Sequence, residues 1–213
     1  MKETYYTISQ DGQNQIEIKK SKFICHLFRI DNEEQAREYI NQIKKEHYKA
    51  NHNCIAYLLG ENFEIQRSSD DGEPSGTAGV PILEVLKKNE LQNTLAIVTR
   101  YFGGIKLGAG GLIRAYSTSV SEALDKIGIV EGKLQQILAI TISYPQLGKL
   151  QNYLENEQIT IQEINYLENI TVKVAIDIKE IEIFIASIID LFNSQVTITP
   201  LEKAYVENPV KKR

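Results

Sequence analysis

A chain of 213 residues with a formal net charge of -4 has room for one large or two smaller domains, and its composition excludes a surface that is basic throughout. A polyanionic partner must therefore meet a local cluster of cationic side chains. The two cysteines, Cys25 and Cys54, are too few for a disulfide scaffold. The polar N-terminus and the lack of an apolar run of ~18 residues argue against a signal peptide and a membrane span. We expect a cytoplasmic protein.

The first part of the chain predicts strands followed by a helix. Asp11-Gly12 lies between the strand-like segments Tyr5–Ile8 and Gln15–Ile18, and this dipeptide favours a tight hairpin turn. Ser21–Ile30 is rich in aromatic and β-branched residues and predicts a further strand. Asp31, with a glutamate three residues later, has the capping-box pattern, so a helix should begin there.

Eight of the 13 glycines lie between Arg67 and Tyr116. They form two groups, in SDDGEPSGTAGVPIL (Ser69–Leu83) and in VTRYFGGIKLGAGGLIRAY (Val98–Tyr116), and each group leads into an apolar pattern with helical spacing. Glycine permits left-handed backbone turns and close approach of a ligand to the main chain. We therefore expect two helix N-termini at one site, where free N–H groups and the helix dipole favour anions.

The second glycine-rich loop is the candidate anion site. It is not a Walker A loop, because it has no Gly-Lys-Ser/Thr triplet, and it is not a dinucleotide fingerprint, because Ile113 stands where a third glycine would fall. A strand-to-helix turn without a ligand is the alternative. The residues predicted to bind phosphate or nucleic acid are Arg67, Arg100, Gly103, Gly104, Lys106, Gly108, Gly110, Gly111 and Arg114.

Polar side chains near the first glycine-rich loop have the chemistry of an acid–base site. They are His52, Asp70, Asp71, Glu73 and Ser75. The alternative, which we favour, is that the carboxylates cap the following helix and pair with Arg67 or Arg100, and that the histidine is a hydrogen-bonded structural residue. The spacing of the histidines and Cys54 does not fit a zinc site. No metal site, no cofactor and no Gly-x-Ser-x-Gly nucleophile is predicted.

Tyr101 and Phe102 follow an apolar strand and precede the glycines of the second loop. Adjacent strand residues point to opposite faces, so one of the two can be exposed. An exposed aromatic ring beside Arg100 would suit the stacking of a nucleic-acid base. The alternative is that both rings pack in the core.

From Gln135 onwards glycine becomes sparse and isoleucine abundant. The pattern predicts a strand, a helix, two strands, a helix and a last strand, which is the βαββαβ order of ferredoxin-like folds. We therefore predict an α+β protein with an N-terminal domain over residues 1–131 and a ferredoxin-like domain over residues 132–205. Residues 206–213 are predicted to be a solvated basic tail, and no DNA-specific motif is found.

Four motifs resemble the IMPACT/YigZ family over essentially the whole chain. They are KKSKFI (Lys19–Ile24), HYKANHNCIAY (His47–Tyr57), RSSDDGEPSGTAGVPIL (Arg67–Leu83) and VTRYFGGIKLGAGGLIRAY. The resemblance implies an N-terminal domain whose fold is shared with a ribosomal small-subunit protein, domain IV of elongation factor G and galactokinase-type kinases. It also implies a C-terminal ferredoxin-like domain similar to domain V of elongation factor G.

The resemblance also implies a role. Eukaryotic members modulate translational control by competing for the activator of a starvation-responsive initiation-factor kinase, partly through a further N-terminal module that is not found in this sequence. We therefore expect a translation-linked regulatory or binding protein, not an enzyme, that contacts RNA or the ribosome through the basic glycine-rich loops. The alternative is a hydrolase or phosphotransferase acting on a small phosphorylated or peptidic substrate in the same site. No membrane partner is expected.

Overall fold

The computed structural model describes residues 2–210, and the chain divides into two compact units. The first comprises the chain up to Glu131 together with the segment from Asn208, and the second is Gly132–Glu207. Helices and antiparallel sheets are both present, which confirms the predicted α+β class. Within residues 2–210 no helix is both long enough and apolar enough to cross a membrane.

The first unit is built on one antiparallel sheet. Its helices and strands, in chain order, are β1 (Thr4–Ile8), β2 (Gly12–Ile18), β3 (Ser21–Arg29), α1 (Glu33–Glu46), β4 (His52–Leu59), β5 (Ile65–Ser69), α2 (Gly79–Lys88), β6 (Thr94–Tyr101) and α3 (Gly108–Ile127). The strands of the sheet lie side by side in the order β2-β3-β6-β4-β5. The central strand β6 therefore delivers the second glycine-rich loop directly to α3.

The two faces of this sheet carry separate cores, because successive side chains along a strand point in opposite directions. Cys54, Ala56 and Val98 belong to the core shared with α2 and α3. Tyr57 and Ile97 belong to the core shared with α1. The position of a residue along β4 or β6 thus decides which helices its side chain meets.

The first hairpin is formed at Lys19-Lys20 and not at Asp11-Gly12, so that prediction was wrong. Strand β2 pairs with β3, with Ile18 opposite Ser21. Lys19 and Lys20 have positive φ values of 47° and 65°, the sign that a type I′ turn requires at both central positions. Lysine seldom adopts this conformation, so the dipeptide Lys19-Lys20 did not predict a turn.

Helix α1 begins one residue later than the capping-box pattern predicted. The side chain of Asn32 accepts the N–H of Gln35 at 2.9 Å. The side chain of Gln35 in turn accepts the N–H of Asp31 at 2.8 Å. Asn32 rather than Asp31 is therefore the N-cap, and the side chain of Gln35 binds the amide of the residue before the cap instead of closing a reciprocal capping box.

The second unit follows the order strand, helix, strand, strand, helix, strand. Its elements are β7 (Ile129–Ile142), α4 (Leu147–Asn156), β8 (Ile161–Tyr166), β9 (Ile170–Asp177), α5 (Ile181–Leu191) and β10 (Thr197–Pro209). Strands β7, β9 and β8 lie side by side in this order, and β1 and β10 each pair with β7. Leu138, Leu150, Val172 and Phe184 are buried in one core between the sheet and its helices.

The basic tail was predicted to begin at residue 206, but β10 continues to Pro209. The N–H of Val210 also donates to the carbonyl oxygen of Ile129 at 2.9 Å. These residues therefore continue a strand held by backbone hydrogen bonds, and residues 207–210 are exposed to solvent as predicted for the tail. The rest of the predicted tail, residues 211–213, lies outside the described residues.

Candidate nucleic-acid interface

The turn from β6 into α3 requires glycine at three positions. The amide of Gly103 donates to the Ser21 hydroxyl at 3.1 Å, and a Cβ on Gly103 would lie 2.0 Å from the carbonyl of Lys20. No other residue fits so close to a neighbouring backbone. Gly104 and Gly108 have positive φ values of 85° and 73°. The turn is therefore fixed in shape by its backbone.

The first turn of α3 is open to solvent. The helix follows Leu107 without a side-chain cap, and its first residues are exposed. A Cβ on Gly110 would meet no atom within 4 Å, so packing does not require glycine there, and one on Gly111 would meet Leu107 Cβ at 3.1 Å. Glycine in a helix costs about 0.5–1 kcal/mol relative to alanine, so these glycines lower the stability of the helix start. They also leave its uncapped N–H groups facing solvent with no side chains in front of them.

Two cations accompany this open helix end. Lys106 lies in the turn and Arg114 in the second turn of α3, and both are exposed. Neither makes an ion pair with any residue in the described part of the chain. Lys106, Arg114 and the glycines of residues 103–111 thus form one basic surface, which we call the α3 anion surface.

Arg100 was predicted to bind an anion, but the structure buries it. Only 5% of the residue is exposed, and its Nη1 donates to Oε1 of Glu73 at 2.6 Å. Its guanidinium carbon lies 5.4 Å from the ring centre of Phe23 and 5.5 Å from that of Phe102. Arg100 is therefore an internal counter-ion that a phosphate cannot reach.

Arg67 does not belong to the α3 anion surface either. It pairs with Tyr57 across β4 and β5, so it shares the α1 face of the sheet, and its Nε lies 3.5 Å from Oε1 of Glu33. Arg100 pairs instead with His52, whose side chain points to the α2 and α3 face. Tyr57 lies five positions after His52, which corresponds to about 17 Å of strand. Arg67 was grouped with Arg100 because both flank the glycine-rich segments, but the sequence could not show that their side chains lie on opposite faces of the sheet.

Glu73 is the centre of a buried polar cluster. The residue is 8% exposed, and its Oε1 accepts from Arg100 and, at 2.8 Å, from the hydroxyl of Tyr116. The Tyr116 hydroxyl accepts in turn from the Cys54 thiol at 3.3 Å. Sequence reasoning missed Tyr116 as a member of this cluster. The signal that could have found it was a large side chain with a hydroxyl on the mainly apolar, buried face of α3.

Both cysteines are free and buried. Burial is the main cause that raises the pKa of the Cys54 thiol to about 12, with the nearby carboxylates adding to it. Burial also raises the pKa of Cys25. Burial, Cys54 and Glu73 raise the pKa of the Tyr116 hydroxyl. At neutral pH the two thiols therefore stay protonated, whereas the nucleophilic form of cysteine is the thiolate.

Asp70 caps the N-terminus of α2, which is the structural role that we favoured. Its Oδ1 accepts the N–H groups of Ala78 at 3.0 Å and Gly79 at 2.8 Å, and its Oδ2 accepts that of Gly76 at 2.9 Å. Desolvation works to raise the pKa of Asp70, but these backbone hydrogen bonds outweigh it and hold the pKa below its ordinary value. The N-terminus of α2 is thus already occupied by a carboxylate.

Asp71 is held by residues of α1 and β4. Its Oδ1 lies 2.7 Å from Nζ of Lys44, and its Oδ2 accepts the N–H of Asn53 at 2.7 Å. Its carbonyl oxygen lies 2.9 Å from Nδ1 of His52. Since a carbonyl only accepts, Nδ1 carries a proton and Nε2 faces Glu73 at 3.8 Å. Asp71 therefore orients the ring of His52.

The remaining candidates for catalysis have no catalytic partner. Ser75 is exposed, and its hydroxyl makes no hydrogen bond with any residue between 2 and 210. The same described residues contain no group of three or more histidine, cysteine or acidic side chains placed to hold a metal ion.

A groove of 360 Å³ between α2 and α3 is lined mainly by Val80, Val85 and Ile113. None of the side chains predicted for acid–base chemistry lines it.

Phe102 is exposed and Tyr101 is not. The residue Phe102 is 46% exposed, while Tyr101 is half-buried and its hydroxyl lies 3.0 Å from Nδ1 of His47. The amide of Phe102 donates to Oδ1 of Asn51 at 2.8 Å. The prediction that one of the two rings can be exposed is therefore confirmed.

Comparison with known proteins identifies the family. Residues 19–124 match the family described as Impact N-terminal domain, and residues 140–195 match the one described as Domain of unknown function (DUF1949). The IMPACT family member YvyE of Bacillus subtilis (strain 168) is 51% identical over 210 residues, which cover 99% of this chain and 97% of the relative. The chain therefore belongs to the IMPACT family, and the resemblance indicated by its motifs is confirmed.

More distant relatives match less of the chain. The IMPACT family member YigZ of Escherichia coli (strain K12) is 32% identical over 189 residues, 88% of this chain and 93% of the relative. Protein IMPACT-B of Xenopus tropicalis is 34% identical over 95 residues, 42% of this chain and 29% of the relative. A solved structure titled "Crystal structure of an hypothetical protein" superposes with a TM-score of 0.59 at 30% identity, over 95% of this chain and 99% of the other.

Proposed function

We propose that this protein binds RNA, free or within the ribosome, at the α3 anion surface. The observation that carries the proposal is the uncapped start of α3, where exposed glycines and two cations without acidic partners in the described residues face solvent. Backbone N–H groups at a helix N-terminus bind phosphate oxygens, and lysine and arginine add a charge that the helix dipole reinforces.

The family supports a link to translation. Eukaryotic IMPACT proteins act in translational control, as the sequence resemblance implied, although the similarity to the Xenopus relative covers only 29% of that protein. We extend to this chain only a cytoplasmic, translation-linked regulatory role, exerted through contact with RNA. The net charge of -4 agrees with a confined contact, because a polyanion would be repelled by most of the surface.

An enzyme at the same place is less well supported. A hydrolase or phosphotransferase needs a base or nucleophile that is free to act on a substrate. Here Asp70 caps a helix, Asp71 is held by Lys44 and Glu73 neutralises Arg100. Each carboxylate thus has a structural partner that accounts for its presence.

The first prediction concerns the salt dependence of RNA binding. We expect a labelled mixed-sequence oligoribonucleotide to bind at low salt and to dissociate steeply as salt increases, because counterions condensed on the RNA are released on binding. Lys106→Ala should weaken binding and reduce the slope of log K against log salt by about one unit or slightly less. Fluorescence anisotropy at several salt concentrations measures both quantities.

The matched control for this experiment is Lys126→Ala. Lys126 is exposed in the last turn of the same helix, where the dipole repels anions. This variant should bind RNA as the wild type does. Absence of wild-type binding at low salt would exclude RNA as the ligand, and a Lys106→Ala slope equal to that of the wild type would exclude this surface.

A second prediction separates function from stability at Gly110. A Cβ at this position meets no atom within 4 Å, so Gly110→Ala should raise the free energy of unfolding by about 0.5–1 kcal/mol. The same methyl group should weaken RNA binding, because it stands among the N–H groups of the first turn. Chemical denaturation and anisotropy on one preparation measure the two effects.

Gly148 provides the control for Gly110. It is the second residue of α4, and a Cβ there also meets no atom within 4 Å. Gly148→Ala should stabilise the protein without changing its affinity for RNA. If Gly110→Ala also leaves the affinity unchanged, the open helix start is not the place where phosphate binds.

A further inference from the structure

We propose that Phe102 is a stacking platform for an unpaired base, so that the ligand of the α3 anion surface is single-stranded rather than duplex RNA. This inference rests on the proposed function and names the form of RNA that the site accepts. It is carried by an aromatic ring that is exposed, fixed on both sides along the chain and placed next to the basic turn.

The backbone on either side of Phe102 is held in place. Its own amide donates to Oδ1 of Asn51 at 2.8 Å, and the amide of Asn51 donates to the carbonyl of Arg100 at 2.9 Å. The following residue, Gly103, donates to the Ser21 hydroxyl and lies against the Lys20 carbonyl. The ring is thus attached to a rigid backbone segment, so less conformational entropy is lost when a ligand binds to it.

The ring is also supported from within the protein. The guanidinium carbon of Arg100 lies 5.5 Å from the ring centre of Phe102, and Arg100 is itself fixed by Glu73 and lies against Phe23. Even so, Phe102 remains 46% exposed. A buried ion pair therefore supports an aromatic ring whose remaining surface is available to a ligand. Neither the core nor the turn requires that exposure.

The chemistry of the neighbouring residues selects the ligand. Lys106, four residues further along the same turn, is exposed and has no acidic partner within residues 2–210, so a stacked base would have its phosphate near a free cation. Stacking of bases on exposed aromatic rings beside basic side chains is how single strands are bound without sequence preference. A duplex offers no free base face, because its bases are stacked on one another.

The test compares three labelled RNAs of equal length: a mixed-sequence single strand, the corresponding duplex and a strand of abasic nucleotides. The wild-type protein should bind the single strand roughly 10-fold more tightly than the abasic strand, the range that one stacked base provides. Phe102→Leu should lose this difference and bind the abasic strand as the wild type does. Tyr48→Leu is the control and should keep the difference. Like Phe102, Tyr48 is an exposed aromatic residue with a cation nearby: it is 74% exposed, and the ammonium of Lys49 lies 5.5 Å from its ring centre. It is not part of the α3 anion surface.

A second variant reports stacking directly. The chain contains no tryptophan, so Phe102→Trp introduces a single tryptophan at the proposed platform, which is excited at wavelengths where the 11 tyrosines do not absorb. Its fluorescence should be quenched by the single strand and not by the abasic strand, while that of Tyr48→Trp should respond to neither. Circular dichroism establishes that each variant is folded.

The outcomes separate this inference from the proposed function. Equal, salt-dependent affinity of the wild type for the single and abasic strands, or tighter binding of the duplex, would overturn the stacking platform and leave phosphate binding in place. If the Phe102→Trp variant binds the single strand without a decrease in its tryptophan fluorescence, the stacking platform is likewise overturned and phosphate binding remains. Failure to bind any of the three RNAs at low salt would overturn both.

Discussion

Glu73→Gln is expected to lower the free energy of unfolding by about 3–5 kcal/mol, the largest effect of any single change considered for this protein. Glu73 is 8% exposed and Arg100 5% exposed, and their atoms Oε1 and Nη1 lie 2.6 Å apart. An amide cannot neutralise the guanidinium, so the variant retains an uncompensated buried charge. Urea unfolding followed by circular dichroism measures the loss.

Two further variants show whether the charge is the cause. Arg100→Met in the Glu73→Gln background removes the stranded charge and should recover part of the lost stability. Glu84→Gln breaks the exposed pair with Lys87 at 3.0 Å and should change stability little. A Glu73→Gln protein as stable as the wild type would show that Arg100 does not depend on this carboxylate.

Acidification is expected to destabilise the first unit through His26. Burial and the neighbouring His47 lower the pKa of His26 to about 4, although Glu46 acts in the opposite direction. Between about pH 6.5 and 4 the unfolded chain binds a proton at this site and the folded protein does not, so stability is lost as the pH falls. From pH 6.5 to 5 the loss amounts to about 2 kcal/mol.

This loss is measured as the difference between two proteins. His26→Leu lacks the titrating group, so its stability should fall less than that of the wild type between pH 7 and 5. Comparing slopes cancels the carboxylates that titrate in both proteins. His26 is 4% exposed, its ring centre lies 5.3 Å from that of His47, and its Nε2 has no hydrogen-bond partner within residues 2–210. Parallel pH profiles would contradict the role assigned to His26.

Much of the α3 anion surface could be predicted from the sequence, because glycine and lysine act through local chemistry. Gly104 and Gly108 occupy left-handed positions that glycine marks, and Lys106 is exposed in the same turn. The partners of the two arginines could not be predicted in this way. Arg67 and Arg100 lie on opposite faces because of how β4 pairs with β5 and with β6, which is a tertiary property.

The failed hairpin prediction has a related cause. Local propensity favoured Asp11-Gly12, but strand β2 finds its partner in β3 and the turn falls on Lys19-Lys20. The register places Phe23 in the core against Tyr116, with their ring centres 5.3 Å apart. Packing gained across the sheet thus outweighs the strain of two lysines with positive φ.

The burial of both thiols makes the natural sequence suitable for site-specific labelling. Cys25 and Cys54 are inside the first unit, and with the pKa of Cys54 raised to about 12 and that of Cys25 also raised, their thiolate forms are scarce at neutral pH. A maleimide dye should therefore leave both unmodified. A single surface substitution such as Lys126→Cys then carries the dye alone, without first removing the native cysteines and the bond that Cys54 makes to Tyr116.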